Sequence, residues 1–440
     1  MHRLLNAWLA FPLAESWTGR SIRPKLHLLR QDMGLPFAER KRRRLARLAE
    51  VIDRASHEVP YYRDLVRTSR FDAKRVARDE QYLADLPYLT KDILREQGKR
   101  MLSERYDGQH LELRKTGGST GPTTAIYYDR VALDWSAAVN LLVREWAGKP
   151  PGAKEVHLAS RFPEVFPWRD RAKESCKCLA MNRANIFIDT FEPSGLEAIW
   201  RSLARHKPYL LQGHPSTMYA LAVHLRNRQV EAKGQLQVFE STGEVLDARK
   251  RELIETVFGC RVVDRFGNAE CGVVAYEPLA LKRQPLRVVD AVAWPENLAH
   301  EGGTPEIVLS GLLNRAMPLL RYRTGDLGLL SQDESGFVLD RIMGRVHDVV
   351  QIGPDRFPTH YIQDLVDRLD GVEEFQLEQR RGGALRLRLV VPNAESHSAI
   401  SRRVETWWGK RVELEFTDFA GLERRGWQHK FRYLVDSAAA

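Results

Sequence analysis

The segment Thr116-Gly-Gly-Ser-Thr-Gly-Pro122 places three glycines (Gly117, Gly118, Gly121) and three hydroxyls (Thr116, Ser119, Thr120) within six residues. Such a loop can bring several backbone N–H groups and O–H donors onto one phosphate, and glycine lets the backbone approach closely. No Gly-Lys-Ser/Thr closes it, so it is not a Walker A loop, and it does not follow G-x-G-x-x-G. A tight hairpin is the other reading of the same residues.

Four further segments carry polar residues at the ends of candidate strands or after them. Phe239-Glu-Ser-Thr-Gly-Glu244 supplies Gly243 and Glu244, and Asp264-Arg-Phe-Gly-Asn-Ala-Glu270 supplies Phe266, Gly267, Asn268 and Glu270. Arg321-Tyr-Arg-Thr-Gly-Asp326 and Gly344-Arg-Val-His-Asp348 follow, with Asp326 and Arg345 as candidates. In open α/β sheets, ligands bind outside the carboxyl ends of strands, so loops placed this way predict one composite nucleotide site.

The elements that must position these loops alternate between residues 110 and 343. Strand-like runs at 125–128, 155–159, 237–239, 261–263 and 306–309 alternate with helical patterns at 131–146, 195–206, 217–228 and 247–258. That alternation predicts an α/β class. Beyond Gly344 the pattern becomes a small α+β unit, with helices near 359–369 and 395–408 and strands at 374–379, 385–391 and 412–416. The expected division is therefore a large body, 1–343, and a small lid, 344–440. Upstream, residues 37–66 read as helix with Leu45, Leu48, Ile52 and Ala55 on one face, stopped by Pro60. The basic run Arg40–Arg44 reads as the solvated side of that helix, because no nucleic-acid module accompanies it.

Composition limits the remaining classes. The chain has 440 residues, 43 % of them hydrophobic and 29 % charged, which excludes intrinsic disorder. No apolar run reaches membrane-spanning length. The formal charge of +10 fits anionic partners without choosing one. Four cysteines (Cys176, Cys178, Cys260, Cys271) are too few for a disulfide scaffold, and Cys176-Lys-Cys178 lacks zinc-knuckle spacing, so no structural zinc and a reducing, cytoplasmic setting are expected. The apolar residues Leu4, Leu5, Trp8, Leu9, Phe11 and Leu13 read as a short buried or interfacial helix, not a signal peptide.

In their order along the chain these motifs resemble the adenylate-forming, acyl-CoA synthetase-like superfamily. Within it they are most similar to the phenylacetate-CoA ligase-like branch, which includes proteins of capsular-polysaccharide clusters. The likeness runs from about residue 40 to 436. It also rests on Val59-Pro-Tyr-Tyr62, Leu86-Pro-Tyr-Leu-Thr-Lys91 and Gly213-His-Pro-Ser216. The resemblance implies ATP and Mg²⁺ as cofactors, a small carboxylic acid (aromatic or other organic) as substrate, and an acyl-AMP intermediate. CoA or a phosphopantetheine on a carrier protein would be the acceptor. It implies no nucleic-acid partner, and the branch often dimerises.

The resemblance also implies residue roles. The Thr116–Gly121 loop would hold the β- and γ-phosphates, Glu270 the Mg²⁺, and Phe266 and Gly267 the adenine and acyl pockets. Asp326 would accept from the ribose hydroxyls, and Arg345 would reach ribose or phosphate near a hinge at 344–348. Lys430, in His429-Lys430-Phe431-Arg432, would bridge carboxylate and α-phosphate during adenylation. His214 and Phe239 are candidate acyl-pocket residues, with a structural role for His214 equally open.

Two departures stand out. Gly121 abuts Pro122, which shortens the loop by one residue, and Ala269 stands where the family carries a hydroxyl, with Asn268 beside it as a substitute donor. These changes favour a degenerate, non-catalytic binding protein as one alternative to a CoA ligase; an amide-forming or carrier-loading ligase using the same acyl-AMP is the other.

Overall fold

The computed structural model describes residues 2–115, 124–160, 167–280, 283–299, 303–346, 349–352, 355–380, 384–425 and 430–436. They form a mixed α/β protein of two compact units. The first comprises Met1–Ala153, Leu179–Asn182 and Val263–Ile342, and the second comprises Lys154–Cys178, Arg183–Val262 and Met343–Ala440.

In the first unit, strands run in the order Ala293–Leu298, Glu306–Gly311, Tyr322–Asp333, Gly336–Arg345, Leu286–Val288, Gly272–Tyr276 and Arg261–Asn268. The pairings Ala293–Leu298 with Glu306–Gly311 and Arg261–Asn268 with Gly272–Tyr276 are antiparallel. The helix Arg130–Trp146 opens on Asp129, whose Oδ1 accepts from Ala132 N at 2.8 Å, a side-chain N-cap.

Pro60 does more than end a helix. The helix Phe37–Glu58 stops at Val59, and a second helix, Pro60–Ser69, begins on Pro60 itself. Proline is favoured in a first turn because its missing N–H would have no intrahelical partner there.

The basic run is not a uniformly solvated face. Arg40 and Arg44 are buried, and their Nε atoms lie 3.0 Å from Oδ2 and Oδ1 of Asp290, which is itself fully buried. Residues four apart share one helix face, so the same spacing that makes a charged stripe also delivers two guanidiniums to one carboxylate.

The N-terminal apolar residues also turn the other way. In the helices His2–Leu5 and Phe11–Trp17 and the π-helical turn between them, Leu4, Leu5, Trp8, Leu9, Leu13 and Trp17 are all exposed, with Trp8 at 78 %. Glu15 faces inward instead and accepts from the backbone N–H of Arg23 at 2.7 Å, at the start of the helix Ile22–Met33. The free N–H groups of that helix outcompete the leucines for the inward face. Among the described residues no helix is long and apolar enough to cross a membrane.

In the second unit, four parallel strands lie in the order Val238–Thr242, Leu210–Gly213, Glu155–Ser160, Arg183–Ile188. The helices Pro193–His206, Pro215–Asn227 and Ala248–Phe258 connect or follow them, as parallel crossovers require. A core of Leu211, Met218, Leu221, Phe239 and Phe258 joins these strands and helices, and Phe419, Leu422 and Phe431 from the C-terminal segment pack into the same core.

The C-terminal segment has a second core, Ile362, Phe375, Leu377, Leu387, Ile400 and Val412 among others. It lies around a sheet ordered Val412–Thr417, Leu385–Val390, Glu374–Gln379, Leu434–Asp436. The strands Glu374–Gln379 and Leu385–Val390 pair antiparallel, close to their expected bounds.

Candidate active site

The first unit carries one cluster of predicted residues on the hairpin between Arg261–Asn268 and Gly272–Tyr276. Gly267 is required by contact: a Cβ there would lie 2.4 Å from Gly272 O. Asn268 Oδ1 accepts from Cys271 N at 2.7 Å and closes the turn, while its buried Nδ2 has no hydrogen-bond partner among the described residues. Glu270 is buried, and its Oε1 accepts from Tyr322 Oη at 2.8 Å. Tyr128 Oη lies 2.7 Å from the carbonyl oxygens of both Ala269 and Glu270. Burial pushes the Tyr128 and Tyr322 hydroxyls far above their ordinary range, and the neighbouring Glu270 carboxylate raises them further, so both are held as donors. Beside Glu270 a cavity of about 20 Å³, lined by Tyr128, Ser136, Cys271 and Asn314 among others, has room for about one water. Phe266 is buried at the start of the same turn.

Two motifs far apart in sequence, Val59–Tyr62 and Leu86–Lys91, converge in the same unit on Arg321-Tyr-Arg-Thr-Gly-Asp326 and the residue before it. Tyr62 Oη accepts from Leu320 N at 3.0 Å. Leu89 N donates to Arg321 O at 3.0 Å, and Arg323 N donates back to Leu89 O at 2.9 Å. Arg321 is buried with φ at +48°. Its Nη1 donates to the carbonyls of Ala84 and Leu86 at 2.9 and 2.6 Å, while Nε and Nη2 grip Glu296 at 2.8–3.2 Å. Gly325 sits at φ +76°, and its N–H donates to Glu306 Oε1 at 3.0 Å. Asp326 follows it half-buried, its N–H on Thr324 Oγ1 at 3.0 Å.

The second unit brings together His214, Gly243, Glu244 and Lys430. Gly243 ends the strand Val238–Thr242 at φ +81°. A Cβ at that position would lie 2.9 Å from His214 Cε1, so the histidine and the positive φ both require glycine, while Lys430 Nζ would stand in ordinary contact at 3.5 Å. His214 Nδ1 lies 2.8 Å from Thr242 O, and since a carbonyl can only accept, Nδ1 carries the hydrogen. Glu244 Oε1 accepts from Phe431 N at 2.7 Å and Oε2 from Ser216 N at 3.2 Å. Burial acts to raise its pKa, but His214, Arg424 and the two N–H donors outweigh burial and hold the carboxyl below its ordinary range.

Arg424 completes this cluster. Its Nη1 donates to Ser216 Oγ at 2.9 Å, and its guanidinium lies 3.4 Å from the Phe191 ring centroid. Burial pulls it down to about 10. Arg345 lies half-buried at the end of Gly336–Arg345.

Phe239 does not line an open surface. It is fully buried in the core beneath its strand, so its role is packing, not substrate contact. The predicted Thr116–Gly121 loop lies outside the described residues, as do His347 and Asp348 of the proposed hinge. Sequence reading missed Tyr128, Arg321 and Arg424 as site-building residues. Arg321 stood inside a quoted segment, and its burial separates it from the more exposed Arg323.

No protein-family model matches the chain. Among curated proteins it is 22 % identical over 298 residues to Protein CapK of Staphylococcus aureus, covering 66 % of this chain and 64 % of CapK. It is 27 % identical over 359 residues to the phenylacetate-coenzyme A ligase of Escherichia coli (strain K12), covering 77 % and 79 % of the two chains. Among solved structures, a 2-hydroxyisobutyryl-CoA ligase in its postadenylation state superposes with a TM-score of 0.71 at 20 % identity, over 92 % of this chain and 90 % of that one. The fold is thus that of adenylate-forming CoA ligases, an N-terminal body with a C-terminal lid. The chain is thus similar in sequence to CapK and to phenylacetate-coenzyme A ligases, and it shares the fold of the 2-hydroxyisobutyryl-CoA ligase.

Proposed function

We propose that the protein activates a small carboxylic acid with ATP and passes the acyl group to CoA. The observation that carries this reading is Lys430. It lies on the two-residue strand Lys430–Phe431, with its ammonium beside Gly243 at a carboxyl strand end, where α/β folds bind ligands. The names of the relatives, CoA ligases among them, support the same chemistry.

In the first step an oxygen of the acid attacks the ATP α-phosphorus, the bond to pyrophosphate breaks, and acyl-AMP forms. Lys430 would neutralise charge that grows between carboxylate and α-phosphate, which lowers the barrier most where water is excluded. In the second step the CoA sulfur attacks the acyl carbon and AMP leaves.

Glu270 fits a Mg²⁺ ligand, because this ion takes one or two carboxylates and completes its shell with phosphate oxygens and water. Bound there, Mg²⁺ would offset phosphate charge. The unpartnered Nδ2 of Asn268 offers the donor that Ala269 lacks and supports a working site over a degenerate one. Asp326, on its glycine-preceded bulge, would take the ribose hydroxyls, with Arg345 beside ribose or phosphate. His214, through its free Nε2, would border the acid. The segment 344–440 would act as the lid that exchanges the two half-reactions. A small organic acid, aromatic among the first choices, is the substrate class.

The test is acid-dependent ATP–pyrophosphate exchange across aromatic, hydroxy and fatty acids, followed by CoA-dependent AMP release. Lys430→Ala should lower exchange at least 100-fold. Full exchange in that variant would sink the role given to Lys430. Acyl transfer to hydroxylamine or a carrier protein, but not to CoA, would move the acceptor to the carrier-loading alternative.

A further inference from the structure

Glu244 makes one polar contact on each side of a junction within the second unit. On one side lies the N-terminus of the helix Pro215–Asn227, whose Ser216 N donates to Oε2 at 3.2 Å. On the other lies Phe431 of the C-terminal segment, whose N donates to Oε1 at 2.7 Å. No side chain caps that helix at His214, so the Glu244 carboxylate serves as its acceptor. Phe431 directly follows Lys430. The one carboxylate therefore ties the helix end to the backbone that carries the lysine.

The surrounding hairpin strengthens the tie. Arg424 pairs in register with Phe431, and Arg425 with Lys430. Neighbouring residues on a strand point to opposite faces, so Arg424 and Phe431 share one face and Lys430 and Arg425 the other. The Arg424–Phe431 face packs against the rest of the unit: Phe431 enters the core with Leu211 and Phe258, and the half-buried Arg424 stacks on Phe191 and donates to Ser216 Oγ. This leaves the Lys430 face toward Gly243. A buried anion between a helix N-terminus, a histidine, an arginine and a strand N–H is fully compensated only while the hairpin is seated.

We infer that Glu244 is a positioning residue for Lys430: it seats the Arg424–Phe431 hairpin so that the ammonium stands over the end of Val238–Thr242, and it does so only for the adenylation half-reaction. The inference rests on the adenylation chemistry proposed above. It goes beyond that reading by assigning Glu244 to the lysine's backbone and not to the nucleotide. In the mechanism proposed above Lys430 acts in the adenylation step alone, so losing the tie should leave thioester formation from ready-made acyl-AMP in place.

The test compares wild type, Glu244→Gln, Glu244→Ala and, as a control outside the site, Arg226→Ala, which removes an ion pair to Glu373. Glutamine keeps one acceptor oxygen but turns an NH₂ donor toward the second N–H. Hydrogen–deuterium exchange is read on peptides covering 424–436 and on the strands Leu210–Gly213 and Val238–Thr242. Half-reactions are read with phenylacetate, benzoate, 2-hydroxyisobutyrate and hexanoate as probe acids, and with their synthetic acyl-AMPs plus CoA.

Both Glu244 variants should deprotect the Phe431 peptide about 10-fold or more and leave the two strands unchanged, in line with the loss of a charge-assisted hydrogen bond. Pyrophosphate exchange should fall about 10- to 100-fold while thioester formation from acyl-AMP stays within 2-fold. Arg226→Ala should show no such split. Equal loss in both half-reactions, or unchanged protection at Phe431, would overturn the inference. If no probe acid supports exchange in the wild type, the adenylation reading fails, and protection at Phe431 alone decides whether Glu244 seats the hairpin.

Discussion

Arg40 Nε lies 3.0 Å from Asp290 Oδ2, with both side chains at 3 % exposure or less. Arg44 takes the other oxygen at the same distance, so the carboxylate is fully engaged by one helix. Removing the anion would leave the Arg40 guanidinium buried without a carboxylate partner, and would leave Arg44 only Asp32. Asp290→Ala should therefore cost about 3–5 kcal/mol, read as a lower denaturant midpoint. Asp290→Asn keeps one acceptor and should fall between the wild type and the alanine variant.

The junction between the C-terminal segment and the helix Ala248–Phe258 rests on a comparable pair. Lys250 Nζ lies 2.9 Å from Glu374 Oε2 and 3.3 Å from Asp247 Oδ2, and it also meets Tyr433 Oη. Burial opposes the ammonium, but Glu374 and Asp247 outweigh it and raise its pKa. A raised lysine stabilises below its unfolded value of about 10.4, and that stability is lost as pH rises through the higher folded value. Lys250→Met should destabilise by about 3–5 kcal/mol at neutral pH. Adding Glu374→Gln should recover part of the loss, because the orphaned charge goes with it. Simple additivity of the two changes in denaturation would argue against the pair.

Glu244 responds in the opposite direction. Its folded pKa is lowered, so its contribution is complete above the ordinary value of 4.5 and disappears as pH falls through the lower folded value. Melting temperatures measured from pH 6 down to pH 3 should show an acid-induced drop that is shallower in Glu244→Gln. An identical acid limb in both proteins would contradict this coupling.

Asn268 offers a test of nucleotide contact that leaves the turn intact. Asn268→Asp keeps Oδ1 as acceptor for Cys271 N but replaces the unpartnered Nδ2 donor with an anionic oxygen. The KM for ATP should rise about 10-fold or more, since one donor is lost and a negative charge faces phosphate. A KM that changed less than 2-fold would place the phosphates elsewhere.

The four thiols should separate by reactivity. Cys176 is exposed, whereas burial pushes Cys260 up to about 12. With a disulfide reagent at pH 8, Cys176 should label within seconds to minutes and Cys260 only on unfolding, as mass spectrometry of labelled peptides would show.

Much of this architecture was legible as pattern. The period-two and helical runs predicted most of the body's helices and the lid strands Glu374–Gln379 and Leu385–Val390. Strand Leu210–Gly213, which falls between two helices, was passed over. The long hairpin strands Tyr322–Asp333 and Gly336–Arg345 carry many polar residues and were read as loops around a motif. The C-terminal charges were harder still. Arg424 and Arg425 are adjacent and identical in type, yet burial lowers the pKa of Arg424, while Arg425 pairs with Glu423.

By itself the sequence determined the α/β order, the glycine positions, and a succession of motifs that resembles that of adenylate-forming ligases. These are local or ordinal properties, set by side-chain period and backbone freedom. Only the tertiary structure decided which charges are structural and which face a site. It turned two of five basic residues inward onto Asp290 and put Phe239 in the core. It also tied Phe431, next to Lys430, to Glu244 across 187 positions of chain. The reason is physical: burial and charge compensation depend on what the rest of the chain brings within hydrogen-bond distance, and neither residue type nor spacing encodes that partner.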